Sequence, residues 1–345
     1  MRWARSLLAS VHIQFAIAAM NPVAPSCGIM ATTNPEDLPD VGLLPKGTFD
    51  THVHVFDPRL GPYAAHRAYT PGDAPLSELL SFSRSLSADN DSSTLILVQP
   101  SPYKADCTVM LKSLGDLAKH GKMARGIAVI DVNTVTDQML EEMHGLGVRG
   151  IRLNFQADDK GIHIPSLIAI LNESARRIRH LPGWKIQMFV PGWTWDALHE
   201  PILALPIPVI ADHLGGMSAS SKLPEALKST PLEQPGLKSL VSLAQASRVV
   251  IKVSGLYRIS NDNSTNFADT RPIIEHFAHE VPNQLIWGSD WPHTGDGHNR
   301  TASSVLVKEP FRLIDDRGIL ANLQDWIDDE VWDKMLRQNP KRLFL

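Results

Sequence analysis

The sequence predicts an α/β protein whose main domain is a closed (β/α)₈ barrel. Three observations carry this. Eight short runs rich in Val and Ile alternate with longer stretches whose apolar residues recur three and four apart. The first run ends in His52-Val53-His54, not in the glycine-rich phosphate turn that an open doubly wound sheet would place there. Ionisable residues gather at the carboxyl ends of the runs, where such barrels assemble their sites.

The predicted strands span residues 48–54, 94–100, 125–131, 148–155, 185–190, 208–213, 248–254 and 284–290. Most are followed by Gly, Pro, Asp or Ser, which stop a strand. Between them, Leu76, Leu79, Leu80 and Phe82 open one helix, and Met139, Leu140 and Met143 mark another. Ile164, Leu167, Ile168, Leu171, Ala175 and Ile178 mark a longer one. Strands alternating with helices imply parallel pairing through right-handed crossovers. The polar stretch 255–271 reads as a loop long enough to cover a substrate, and 323–336 as a helix packed outside the barrel.

The chain has 345 residues, 43% hydrophobic and 20% charged, with a net charge of −4. That supports a large core and excludes wholesale disorder. No cluster of Lys and Arg suits a nucleic-acid grip. Cys27 and Cys107 are too few for a disulfide scaffold or a thiolate zinc site. Residues 1–40 form an N-terminal extension and 41–345 the barrel domain. Residues 1–30 carry Arg2 and Arg5 and no acid, and His12 and Gln14 break their apolar run, so no membrane span is expected. The segment reads as an organelle transit peptide, a weak secretory signal or a start placed ahead of Met30. The cytoplasm is the favoured location; mitochondrial or secreted placement follows if the segment targets.

Residues two apart on a strand point the same way, so His52 and His54 both enter the mouth. Ser101 follows the second strand. Arg152 and Asn154 lie on the fourth, and Asp212-His213 end the sixth. Lys252 lies on the seventh with Arg258 beyond it, and Asp290 ends the eighth with His293 close behind. Each has a bland reading: a single strand-end histidine is usually structural, and Asp290 suits a turn cap. Their coincidence favours a site, because burying so many charges is costly unless they bind something or one another.

These residues resemble the amidohydrolase superfamily, in its amidohydrolase-related (amidohydrolase 2) branch. The matching pieces are Phe49-Asp50-Thr51-His52-Val53-His54, Gly150-Ile151-Arg152-Leu153-Asn154-Phe155, Ala211-Asp212-His213-Leu214-Gly215 and Ile286-Trp287-Gly288-Ser289-Asp290-Trp291-Pro292-His293, with the ending Asn339-Pro340-Lys341-Arg342-Leu343-Phe344. Arg67-Ala68-Tyr69-Thr70-Pro71, Ala124-Arg125-Gly126-Ile127-Ala128 and Lys252-Val253-Ser254 resemble the subgroup of 2-pyrone-4,6-dicarboxylate lactonases. The resemblance implies hydrolysis of a lactone. Asp290 would be the general base, and His213, His52 and His54 would polarise the carbonyl. Arg152 and Arg258 would clamp a carboxylate, with Tyr69, Ser101 and His293 adding substrate contacts.

No metal is favoured, because the lysine or histidine that metal-dependent relatives add on strands four and five is missing. If a metal such as zinc binds, His52, His54 and Asp290 would hold it. Two departures stand out: Asp158 replaces an expected arginine, and Phe189 an expected tyrosine. They imply a substrate with one carboxylate. The expected partner is a small lactone carboxylate, with neither nucleic acid nor membrane. Two alternatives stay open: a zinc-dependent decarboxylase or amidase of the same superfamily, and a catalytically silent barrel that binds a small acid.

Overall fold

Each predicted run supplies one strand: β1 (Phe49–Val53), β2 (Thr94–Val98), β3 (Ala124–Ala128), β4 (Val148–Asn154), β5 (Lys185–Phe189), β6 (Val209–Ala211), β7 (Val249–Val253) and β8 (Leu285–Trp287). The computed structural model describes residues 41–155, 161–295, 300 and 304–345. Residues 1–40 and Asp158 lie outside them. The eight strands pair in chain order, all parallel. Just past β8, Asp290 N donates to His52 O at 2.8 Å and His54 N to Trp291 O at 2.9 Å. The last strand thus meets the first, giving a nearly closed (β/α)₈ barrel.

Most strands are shorter than the sequence predicts, for a backbone reason. His213 and Asp290 adopt φ of 54° and 63°, which no ladder can continue. The polar ends of the runs therefore leave the sheet and turn into the mouth.

The helices follow the expected periodicity: α1 (Leu76–Ser85), α2 (Thr108–Lys119), α3 (Asp137–Gly145), α4 (Ile164–Ile178), α5 (Thr194–Ala204), α6 (Leu237–Gln245), α7 (Arg271–Glu280) and α8 (Asp316–Trp326). Thr136 caps α3 by accepting from Met139 N, and proline sits in the first turn of α4 and of α7. Leu79, Leu114, Leu140, Leu171, Leu198, Leu240 and Ile274 are fully or almost fully buried in the layer between helices and sheet. Inside the barrel, Phe49, Ile96, Val98, Ile127, Ile210, Val250 and Ile286 form a second core.

Three features differ from expectation. The 323–336 helix is broken: α8 ends at Trp326, and Asp328 caps a new helix (Asp329–Asp333) by accepting from Val331 N at 2.9 Å. The chain then returns through Asn339–Phe344 and seats Phe344 in the inner core, so it plugs the barrel floor rather than only packing outside. The 255–271 stretch is largely built of turns, beginning with one helical turn (Leu256–Ile259). Two-residue strands Thr70–Pro71 and Lys308–Glu309, too short for any sequence pattern, pair in parallel. No described helix is long and apolar enough to cross a membrane.

Candidate active site

The strand period delivers His52 and His54 side by side, both buried, with ring centroids 5.0 Å apart. His213, just past β6, brings its ring to 4.9 Å from His52. Asp290, just past β8, lies among them. Its Oδ1 is 3.6 Å from His52 Nε2 and 3.6 Å from His54 Nε2. Its Oδ2 accepts from the Tyr257 hydroxyl at 2.7 Å and from Arg258 Nε at 2.6 Å. Glycine permits this crowding at one turn in particular. Gly255 has φ +55°, and a Cβ there would sit 2.6 Å from His213 Nδ1 and 2.7 Å from Asp290 Oδ2.

A second, deeper layer supports the histidines. The Lys252 ammonium, fully buried, donates to Gln187 Oε1 at 2.8 Å and Thr51 O at 3.0 Å, and lies 3.1 Å from Asp212 Oδ1. Gln187 Nε2 donates to Asp212 Oδ2 at 2.9 Å, and Arg152 Nε is 3.5 Å from that oxygen. His52 Nδ1 is 3.4 Å from Lys252 Nζ and 3.5 Å from Asp212 Oδ1.

Burial governs the titration of these groups. It pushes the His52 imidazole well below its ordinary pKa despite Asp212, and His213 down to about 4 despite Asp290 and Asp212. It lowers His54 as well. For Asp290, burial opposes the charge but Arg258 and the neighbouring imidazoles outweigh it, so the carboxyl stays well below the usual carboxylate range. Asp212 follows the same pattern, with Lys252 leading the opposition to burial. Both acids are thus ionised at neutral pH beside neutral imidazoles.

Unmet hydrogen-bonding capacity is concentrated here. Among the described residues, ten buried side-chain atoms lack a partner. Six of them belong to His52 Nε2, Arg152 Nε, Asp212 Oδ1, His213 Nε2, Asp290 Oδ1 and His293 Nδ1. Native interiors rarely leave such groups unpaired, so a cluster of them marks a place for a ligand. One ligand atom each of His52, His213 and Asp290 lies within 4.8 Å of the others, so this group could hold a metal ion. The set expected from sequence had His54 where the geometry puts His213.

Arg152 is buried against Asp212. Ser101 Oγ accepts from Asn154 Nδ2 at 3.4 Å. Tyr69 is buried under the Arg300 guanidinium, 3.7 Å above its ring, and its hydroxyl is held above its usual pKa by burial, against Arg300 and Arg258. His293 Nε2 is tied to Asp316 Oδ2 at 2.9 Å, leaving Nδ1 open.

Two expectations change. Arg258 is not a free clamp: Nε is spent on Asp290, and Nη2 donates to Thr294 Oγ1 at 2.9 Å. His54 cannot polarise a carbonyl while neutral. Its Nδ1 is 2.8 Å from the Val98 carbonyl, which only accepts, so the proton is on Nδ1 and Nε2 presents a lone pair.

Sequence reasoning missed Tyr257 and Gln187 and gave Lys252 no role. Gln187 had a signal: Lys185 and Gln187 are polar residues two apart on a strand expected to be buried. Tyr257 had none, because the turn after Gly255 aims it.

A family profile described as amidohydrolase matches residues 49–345. The chain is 28% identical over 304 residues to 4-sulfomuconolactone hydrolase of Rhizobium radiobacter, covering 87% of this chain and 91% of that protein. It is 29% identical over 314 residues to 2-pyrone-4,6-dicarboxylate hydrolase of Comamonas testosteroni, again covering 87% and 91%. Among solved structures, one from Acinetobacter baumannii, described as a "probable 2-pyrone-4,6-dicarboxylic acid hydrolase" with citric acid bound, superposes with a TM-score of 0.65 at 25% identity, covering 86% of this chain and 99% of that one. With a profile match running from β1 to the last residue, this chain belongs to the amidohydrolase family.

Proposed function

We propose that this protein is a lactonase that opens the ring of a small carboxylated lactone at the barrel mouth. One observation carries the reading: Asp290 Oδ1 is unpartnered and 3.6 Å from two imidazole nitrogens, while Oδ2 is fixed by Tyr257 and Arg258. That is the arrangement a water-activating base needs. Both curated relatives described above are named as hydrolases of lactones, which supports the same reaction class.

In this reading Asp290 Oδ1 and the His54 Nε2 lone pair accept the protons of one water. The water oxygen attacks the lactone carbonyl carbon as Asp290 takes a proton. His213 Nε2 faces the developing oxyanion. Ser254 Oγ, 3.0 Å from His213 Nδ1, can donate there and leave Nε2 as a donor. The ring C–O bond then breaks, and the departing oxygen recovers the proton from Asp290. Arg152 binds the substrate carboxylate, with the Arg258 charge behind it and Tyr69, Ser101 and His293 assisting. Phe189 lies edge-on to His213 at 4.6 Å and supplies no hydroxyl, which favours a single carboxylate.

His52, His213 and Asp290 have the donor atoms for a divalent cation, which would supply Lewis-acid polarisation of the carbonyl. The charge count disfavours it. Two carboxylates, Asp212 and Asp290, already face three cations, Lys252, Arg152 and Arg258. We therefore assign the reaction to the chain's own groups. The test is ring opening across a panel of lactones. Carboxylated lactones should turn over, and monocarboxylates should have a higher kcat/KM than the pyrone dicarboxylate. No turnover of any carboxylated lactone would overturn the reading.

A further inference from the structure

His52 and His54 come from one strand and face the same carboxylate oxygen, yet their outer nitrogens meet opposite partners. His54 Nδ1 meets a carbonyl, Val98 O, at 2.8 Å. His52 Nδ1 meets an ammonium, Lys252 Nζ, at 3.4 Å. A carbonyl can only accept and an ammonium can only donate. His52 Nδ1 also lies 3.5 Å from Asp212 Oδ1, which can accept, so its tautomer turns on which of the two it pairs with; paired with Lys252, the two neutral rings carry their protons on different nitrogens.

We propose that Lys252 is a positioning residue for the lactonase reaction: by donating to His52 Nδ1 it places the His52 proton on Nε2. The His-x-His pair is then split. His54 offers a lone pair to the water, and His52 offers an N–H to the carbonyl oxygen as it gains charge. This rests on the lactonase reading and completes it, because it supplies the oxyanion donor that His54 cannot be.

The ammonium has three protons and three aligned acceptors: Gln187 Oε1, Thr51 O and His52 Nδ1. Asp212 Oδ1, 3.1 Å from Lys252 Nζ, holds the lysine by charge. Gln187 is oriented by its own bond to Asp212 Oδ2, so its carbonyl oxygen faces the lysine. All four side chains are completely buried, so solvent cannot reassign the protons. With the proton on Nε2, that nitrogen has no lone pair for a metal, and the lone pair on Nδ1 faces Lys252. The same device that makes His52 a donor removes it from the candidate metal group.

The test is nitrogen-15 NMR of histidine-labelled protein near pH 7, with signals assigned through His52→Gln and His54→Gln. It reads the tautomers without any substrate, so it is independent of whether lactones are hydrolysed. The expected result is His52 protonated at Nε2 and His54 at Nδ1. His52 protonated at Nδ1, donating to Asp212 Oδ1 at 3.5 Å, would overturn the proposal. The functional arm uses the charge-neutral double variant Lys252→Met with Asp212→Asn, since Lys252→Met alone takes from the buried Asp212 its nearest cation. With folding confirmed by Tm, kcat for the best lactone should fall about 10²–10³-fold, the size of losing one oxyanion donor, with KM within about threefold. A folded double variant with native kcat would also overturn it. If the double variant does not fold, the native tautomers alone decide.

Discussion

Among the described residues the barrel buries two lysines, one near each end, and they meet different fates. Lys252, under the mouth, faces a carboxylate, an amide, a carbonyl and an imidazole. Lys185, near the floor, faces no carboxylate: it donates to Leu343 O and lies 4.7 Å above the Phe344 ring. Its remaining close charges, Arg149 and Arg125, repel it. Burial together with those arginines pushes its pKa down to about 7. Arg125 Nε likewise donates to Phe344 O, so Lys185 and Arg125 are spent on the last carbonyls of the plugging helix, where the helix dipole favours them. The mouth holds six unpartnered buried polar atoms instead. Buried charge at the floor locks a structure; buried charge at the mouth is held open for something to arrive.

Paired lysine variants break this comparison most forcefully. Lys252→Met should cost about 3–5 kcal/mol in urea unfolding, because it removes the nearest cation from the buried Asp212 and leaves only Arg152, 3.5 Å away, to balance it. Lys185→Met should cost far less, since no carboxylate is orphaned. Equal losses would erase the distinction between the two ends.

At the mouth, Arg152→Met should weaken kcat/KM for a carboxylated lactone by about 10–150-fold, the worth of a charged hydrogen bond of about 1.5–3 kcal/mol. An uncharged lactone of the same ring should be affected less. An equal loss for both would mean that Arg152 serves the reacting carbonyl alone.

Stability against pH sharpens the floor. Unfolded, Lys185 keeps its proton to its ordinary pKa of 10.5; folded, it releases it near 7. The unfolded chain therefore binds more protons between those values, and stability rises with pH there, by up to about 1.4 kcal/mol per pH unit from this group. Comparing unfolding at pH 7 and pH 9 should show that Lys185→Met loses this rise. A native chain whose stability is flat or falls, with Lys185→Met matching it, would contradict the assignment.

The smallest expected effect is that of a chelator. Dialysis against one should leave lactone turnover unchanged. Activity lost and then restored by zinc would return His52, His213 and Asp290 to the role of ligands.

What was legible in the sequence follows from what is local. The eight strands show as Val and Ile runs, and the period of two sent His52, His54 and Arg152 to the mouth. Strand ends were overrun because left-handed backbone at His213 and Asp290 leaves no mark in composition. The pairing of Arg258 with Asp290 depends on the turn after Gly255, and the meeting of Lys252 with Asp212 on the register between β6 and β7. The C-terminal plug was hidden because one acidic residue, Asp328, divides an apolar pattern that reads as a single helix.

The central claim is that Asp290 activates water for lactone opening. Asp290→Asn keeps the side chain's size and leaves an oxygen that can accept from Tyr257 and Arg258, but removes the proton acceptor. Stopped-flow measurement of ring opening at saturating carboxylated lactone should show kcat reduced by about 10²–10⁴, the range for a general base, with the Tm near that of the native protein. Near-native turnover by the folded variant would contradict the account.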